Sequence, residues 1–144
     1  MVDPYKAKLA SGDFFKSKRI VRGSIVVVMD ARIENRNIQL IHPMSRCFRK
    51  SDVCELVTVD EPDASPGTVI KDASYIGFAE LLCSGSLVVG DIVKIKGEKV
   101  GVICGFDETH APNHINVVIQ SEKAQTGLDM GLSVEDEITF ELGK

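Results

Sequence analysis

Apolar and polar residues alternate along most of the chain, which is the pattern of strands that bury one face. Gly, Pro, Asn and Asp residues interrupt this alternation at short intervals and mark turns. The resulting strand predictions fall within residues 20–42, 54–59, 68–83, 86–106, 115–120 and 137–142. Together they predict an all-β fold, with a single closed or nearly closed β-barrel of about eight or nine short strands.

Local turn signals indicate how some of these strands pair. Residues 20–42 are predicted to form a long hairpin, because the polar segment ENRN divides two apolar runs. Gly67, preceded by proline, fits a type II turn. Gly97 lies in a KGE turn between two strands that we expect to be antiparallel. The segment after Ser51 fits a helix or a strand, and the β-branched residues of 54–59 favour the strand.

The N-terminus differs from the rest of the chain. Residues 1–18 are predicted to form a lead-in with a short helix at 3–12, since Asp3 fits an N-cap and Pro4 fits the first turn. Residues 1–144 are predicted to form one domain. The sequence shows neither a secretory signal nor an apolar run of about 18 residues. We therefore expect a soluble cytoplasmic protein without a membrane partner.

Charge is distributed unevenly along the chain. The first 50 residues carry eleven basic and four acidic residues, a balance of +7, whereas the remainder carries −11. This asymmetry indicates either charges that face each other within one molecule or an assembly in which the basic part of one subunit meets the acidic part of another. A homo-oligomer is therefore one hypothesis. The net charge of −4 argues against nucleic-acid binding.

The most unusual segment is the connection within GFDETHAPNHIN. It places seven polar side chains in the ten positions 107–116, more than a strand connection of this length needs. Two of the three histidines are here, and histidine exchanges protons near neutral pH. If the next strand begins at Asn113, alternation places His114 and Asn116 on the same face. This segment is the predicted functional site.

Three of these residues are candidates for chemistry. His110, His114 and Asp107 would converge at the mouth of the barrel, where they could hold a divalent metal such as zinc, iron or manganese. The same three residues are the catalytic candidates, because an aspartate can orient an imidazole for proton transfer. The alternative is a purely structural corner in which Asp107 and Asn113 bond to turn amides. The sequence requires no cofactor.

A second contribution could come from the basic segment RCFRK. Arg46 and Arg49 have the positive charge to hold an anion, although such residues also protect strand edges from aggregation. The predicted ligand-binding residues are Asp107, Glu108, His110, Asn113, His114, Asn116, Arg46 and Arg49.

The segment YIGFAELLCSGSLVVGDIVKIKGEKVGVICGFDETHAPNHINVVI, with its preceding DEPDASPG loop, resembles a family of small bacterial all-β proteins of unknown function. The resemblance is most specific in the GFDETHAPNH block and implies Asp107, His110, Pro112, Asn113 and His114 as a shared motif. The chain also has a fainter similarity to the IIA component of the sorbitol phosphotransferase system. That family uses a phospho-accepting histidine.

These observations lead to three functional hypotheses. The first is a barrel that binds a small polar or anionic molecule at the 107–116 loop. The second is an enzyme with an Asp-His acid–base pair, with or without a metal ion. The third is an assembly or interaction protein. The sequence leaves open whether the protein is an enzyme.

Overall fold

The computed structural model describes residues 14–143, so the helix predicted at 3–12 lies outside the described residues. Within that range the chain forms eleven strands. They are β1 (Val21–Ile33), β2 (Ile38–Gln39), β3 (Ser45–Phe48), β4 (Val53–Val59), β5 (Val69–Ile70), β6 (Ala73–Leu81), β7 (Gly85–Val88), β8 (Ile92–Ile95), β9 (Glu98–Asp107), β10 (Asn116–Gln120) and β11 (Glu137–Glu141).

Seven of these strands form one sheet that closes into a ring. Their order is β1-β11-β8-β9-β10-β4-β6, and β6 pairs back with β1. All neighbours in the ring are antiparallel except β4 and β10, which are parallel. The all-β prediction is confirmed, whereas the strand count of eight or nine is wrong. The four remaining strands form two separate pairs, β2 with β5 and β3 with β7.

The long hairpin predicted for residues 20–42 does not form. β1 pairs with β11 only at residues 21–24, whereas its pairing with β6 runs from Gly23 to Ile33, next to the predicted turn. β6 therefore takes one edge of β1 there, and β2 pairs instead with Val69 and Ile70. Asn35 and Asn37, with φ values of 55° and 54°, turn the chain away from β1.

Two other predictions from local patterns are confirmed. The ambiguous segment after Ser51 is a strand, β4. β8 and β9 form the expected antiparallel hairpin. Its turn consists of two residues, Lys96 and Gly97, rather than three, and both have positive φ, at 54° and 78°. That geometry matches the right-handed twist of the strands on either side.

Hydrophobic residues form two clusters on opposite faces of the closed sheet. The larger one contains residues from every strand of the ring, such as Ile25, Leu56 and Phe106, and fills its interior. The smaller one lies on the outer face, between the ring and the β2–β5 pair. Its members are Ile38, Leu40, Val57, Val59, Ile70, Ala73, Tyr75, Cys104 and Val118. One stretch of the sheet is therefore buried on both faces.

The segment around β2 crosses the outer face of β9. Leu40 is fully buried and packs on Gly105, where an added Cβ would lie 2.9 Å from a Leu40 methyl group. The N–H of Ile41 donates to the carbonyl of Phe106 at 2.9 Å. This docking carries the preceding residue Arg36 to the end of β9.

No helix among residues 14–143 has the length and hydrophobicity needed to cross a membrane.

Candidate functional site

Three neighbouring strands align polar side chains in one row across the outer face of the sheet. Glu55 on β4 is paired with Asn116 on β10, and Asn116 is paired with Asp107 on β9. The residue beside each of them, for example Leu56, fills the interior, so alternation directs the three polar side chains outwards. All three are buried. The row exists because β4 and β10 are parallel and in this register.

The connection between β9 and β10 covers one end of the row. Asp107 fixes its start, because Oδ1 accepts hydrogen bonds from the N–H of Thr109 at 3.2 Å and from its hydroxyl at 2.5 Å. The N–H of His114 donates to the carbonyl of His110 at 3.4 Å. These turns bring both histidines next to Glu55.

Glu55, His110 and His114 form a compact group of potential metal ligands. One ligand atom of each lies within 4.8 Å of the other two. His114 Nε2 is 3.4 Å from Glu55 Oε1, and the two imidazole rings stack with centroids 4.9 Å apart. Atoms that bind one metal ion at about 2.1 Å lie about 3–3.5 Å from one another. The His114–Glu55 pair already has this spacing, and His110 is exposed on a turn and can approach.

His114 is held on several sides. Its Nδ1 lies 2.8 Å from the amide nitrogen Nδ2 of Asn113, and its ring meets Phe78 edge-on with centroids 5.1 Å apart. Its Nε2 is buried and has no hydrogen-bond partner among the described residues. Because an amide nitrogen donates, Nδ1 accepts here and the proton of a neutral ring lies on Nε2, towards Glu55. A metal ion on Nε2 would require the proton on Nδ1, and therefore an Asn113 amide turned so that its oxygen accepts from Nδ1–H.

Burial raises the pKa of the Glu55 carboxyl above its usual range, while the nearby charges of His114, His110 and Arg36 oppose that shift. A carboxyl group with a raised pKa loses its proton more readily beside a cation. A metal ion in this cluster would therefore favour the carboxylate form that binds it.

Arg36 provides a positive charge beside the cluster. Its Nε donates to the hydroxyl of Tyr75 at 3.1 Å, and its Nη2 lies 3.5 Å from His110 Nε2 and 3.9 Å from Asp107 Oδ2. Burial raises the pKa of Tyr75, and the guanidinium opposes this. At these distances Asp107 binds Arg36 only loosely, so the guanidinium retains N–H groups able to bind another group.

The structure places Asp107 differently from His110 and His114. Asp107 Oδ2 accepts from the amide of Asn116 at 2.8 Å, and its Oδ1 is occupied by Thr109. The carboxylate grouped with the two histidines is therefore Glu55, where the sequence indicated Asp107. The group also lies on the outer face of the closed sheet rather than at the mouth expected from the sequence.

The remaining predicted residues are peripheral. Arg46 forms an ion pair with Glu108 at 2.5 Å, and both side chains are more than one third exposed. Arg49 is exposed, and its backbone N–H donates to Asp52. Neither arginine has a hydrogen bond or ion pair to the metal-ligand group within residues 14–143. The strongest positive charge at the group comes from Arg36.

Two members of the site were missed by the sequence analysis. Glu55 lies in the strand CELVTV, whose other residues are apolar or small, and a single carboxylate in such a strand is the signal that could have identified it. Arg36 lies in a turn that resembles an ordinary polar connection, and nothing in the sequence distinguishes it.

Two cavities border the outer surface. A cavity of about 270 Å³ lies beside His114 and is lined by the 112–115 segment, part of β3 and the start of β4. A larger cavity of about 810 Å³ lies between the β8–β9 turn and residues 120–132. The larger cavity has none of the three metal-ligand candidates in its wall, so only the smaller one adjoins the group.

The fold and the site define an all-β protein that holds two histidines and a glutamate on the outside of a closed seven-stranded sheet. The chain belongs to a family of unknown function (DUF6917), whose model matches residues 15–141. This confirms the expected membership of a family of unknown function. No curated protein and no solved structure matches the chain.

The geometry allows two kinds of chemistry. Two imidazoles and one carboxylate are a ligand set suited to zinc, iron, manganese or cobalt, with coordination positions left open. Without a metal ion, Glu55 could orient His114 for proton transfer.

Proposed function

We propose that this protein binds a divalent transition-metal ion through Glu55, His110 and His114. The observation that carries the proposal is the convergence of one ligand atom from each residue within 4.8 Å. The buried Nε2 of His114, which faces Glu55 Oε1 at 3.4 Å without completing a hydrogen bond, belongs to the same group and supports the proposal. A buried ring nitrogen without a partner is costly, and coordination of a metal ion would satisfy it.

The ligand set also indicates the kind of metal centre. Structural zinc sites are closed by four protein ligands, whereas three protein ligands leave room for water or a small molecule. His110 is exposed, so solvent reaches the group from that side. Such a centre exchanges ligands and polarises what it binds. The proposed function is therefore metal-dependent binding or activation of a small molecule.

Metal binding can be measured directly on protein purified without a histidine tag. Elemental analysis after dialysis, followed by titration of chelator-treated protein with Co²⁺ and Zn²⁺, should show one ion per chain. Substitution of any one ligand, as in Glu55→Gln, His110→Ala or His114→Ala, should weaken binding by at least about tenfold. The visible absorption of bound Co²⁺, which depends on its ligands, gives a second readout.

The third histidine provides a matched control. His42 is exposed, and its ring lies near Gly67, away from the cluster. The variant His42→Ala should bind metal as tightly as the unaltered protein. The proposal is wrong if the unaltered protein binds no stoichiometric ion, or if His114→Ala binds it as well as His42→Ala does.

A further inference from the structure

We infer that the open positions of the metal centre take a small monoanionic carboxylate, and that Arg36 binds its second oxygen. This inference rests on the proposed metal centre and names the class of molecule that the centre binds. It is carried by the position of the Arg36 guanidinium next to a metal-ligand candidate and by the charges around the site.

The geometry fits one carboxylate group. Arg36 Nη2 lies 3.5 Å from His110 Nε2. A metal ion on that nitrogen would be about 2.1 Å from it, and therefore no more than about 6 Å from the guanidinium. A carboxylate with one oxygen on the metal and the other accepting from an N–H at about 2.8 Å spans this gap. Arg36 Nε donates a hydrogen bond to the hydroxyl of Tyr75, which fixes the position of the guanidinium.

The charges favour a single negative charge on the bound molecule. Glu55 and Asp107 are buried carboxylates, and Arg36 is the cation beside both of them. A divalent ion added to these three groups leaves one positive charge unbalanced. Charges in poorly solvated sites are stable when paired. A monoanion balances the site, whereas a dianion such as hydrogen phosphate overcompensates.

Metal and anion should also assist each other. Without an anion, the metal ion and the guanidinium repel across a short distance, and coordination of His110 Nε2 removes its contact with Arg36. A carboxylate between the two cations reduces their repulsion and gives Arg36 a new partner in place of His110. By linkage, the anion then tightens metal binding by the factor by which the metal tightens anion binding.

The test uses Co²⁺ to load the protein and acetate as the probe. Acetate titrated into the cobalt-loaded protein should change the visible absorption of the metal with saturation. Arg36→Met should weaken acetate binding by about tenfold or more, yet bind Co²⁺ in the absence of acetate at least as tightly as the unaltered protein, because a nearby cation has been removed. Arg22→Met, which removes an exposed arginine from β1, should alter neither affinity.

Each outcome decides between the proposals. Equal acetate affinity of Arg36→Met and the unaltered protein overturns the role of Arg36. Binding of Co²⁺ with no response to acetate, or with tighter binding of phosphate than of acetate, overturns the carboxylate assignment and leaves the metal centre standing. Failure to bind Co²⁺ or Zn²⁺ overturns the metal centre itself. Opposite changes in the two affinities of Arg36→Met cannot arise from misfolding, which would weaken both.

Discussion

Asn116 connects the candidate site to the sheet. It is fully buried, and its amide donates to Asp107 Oδ2 at 2.8 Å. We expect Asn116→Ala to lower the free energy of unfolding by about 1–3 kcal/mol, because Asp107 loses a buried partner. Asn116→Asp should cost more at neutral pH, since it places two buried carboxylates side by side. Urea denaturation measures both changes.

The exposed Asn113 serves as a comparison for Asn116. Asn113→Ala should change the free energy of unfolding by no more than about 0.5 kcal/mol, because its side chain lies at the surface. A loss for Asn116→Ala as small as about 0.5 kcal/mol would show that the bond to Asp107 does not stabilise the fold.

The candidate site was only partly predictable from individual residues. An unusual density of polar side chains singled out His110 and His114, which are close in sequence. Glu55 joins them only through the parallel register of β4 and β10, in which it is paired with Asn116. No local pattern encodes a pairing between strands so far apart in sequence. A carboxylate was expected beside the histidines, but the one predicted, Asp107, bonds to Thr109 and Asn116 instead.

Local periodicity predicted the strands themselves better than their partners. β4, β10 and β11 lie where alternation and β-branched residues indicated, and the β8–β9 hairpin has its turn at Gly97. The predicted pairing of β1 with β2 failed because the non-local strand β6 takes an edge of β1 along residues 23–33 and β2 finds its partner in β5. A turn signal favours a hairpin locally, but it carries no information about competition for an edge.

The pairing of β1 with β6 depends on Gly77. Its φ is 146°, and a Cβ added there would lie 1.8 Å from the carbonyl oxygen of Val27. We expect Gly77→Ala to lower the free energy of unfolding by more than about 3 kcal/mol or to prevent folding, because the clash is with backbone of the adjacent strand. Thermal or urea unfolding of the purified variant, or its soluble yield, reports this.

Gly131 provides a control for Gly77, because it has a positive φ without a clash. It has a φ of 68° but open space around the position of a Cβ. Gly131→Ala should therefore cost only about 1 kcal/mol. If Gly77→Ala were no less stable than Gly131→Ala, the close approach of β1 and β6 would not be needed for the fold.

The segment before β1 is attached to the start of β8 by a buried ion pair. Lys18 Nζ lies 3.1 Å from Asp91 Oδ2, and Asp91 is fully buried with no partner for Oδ1 among residues 14–143. Burial raises the pKa of Asp91, although the N–H of Val88 and the ammonium of Lys18 oppose the shift. The folded protein therefore keeps this proton at pH values at which the unfolded chain has lost it.

This difference predicts a direction for the pH dependence of stability. As pH rises from the ordinary pKa of aspartate through the raised value, the contribution of Asp91 to the free energy of unfolding should fall. Asp91→Asn cannot ionise, so it should gain stability relative to the unaltered protein over that window. Urea unfolding of both proteins at pH values from about 3.5 to 7 tests this. A constant difference, or one of opposite slope, would contradict the prediction.

On the scale of the whole molecule, the basic first third and the acidic remainder meet within one chain. Within residues 14–143, four ion pairs join a base from the first 50 residues to an acid from beyond residue 90: Lys18–Asp91, Arg32–Asp129, Arg36–Asp107 and Arg46–Glu108. Contacts within one molecule therefore pair these four basic residues, as the first of the two interpretations expects.

The assembly hypothesis stays a prediction, and salt tests its electrostatic form. If charge complementarity between subunits held an oligomer together, salt would dissociate it, because about 1 M salt shortens the screening length to about 3 Å. We expect instead that the mass measured by sedimentation or light scattering is the same at low and high salt. Charge reversal by Arg46→Glu, which disrupts an intrachain pair with Glu108, should also leave the mass unchanged. A mass that falls at high salt would restore assembly through charged surfaces, with Arg46→Glu identifying whether that surface includes the edge of the candidate site.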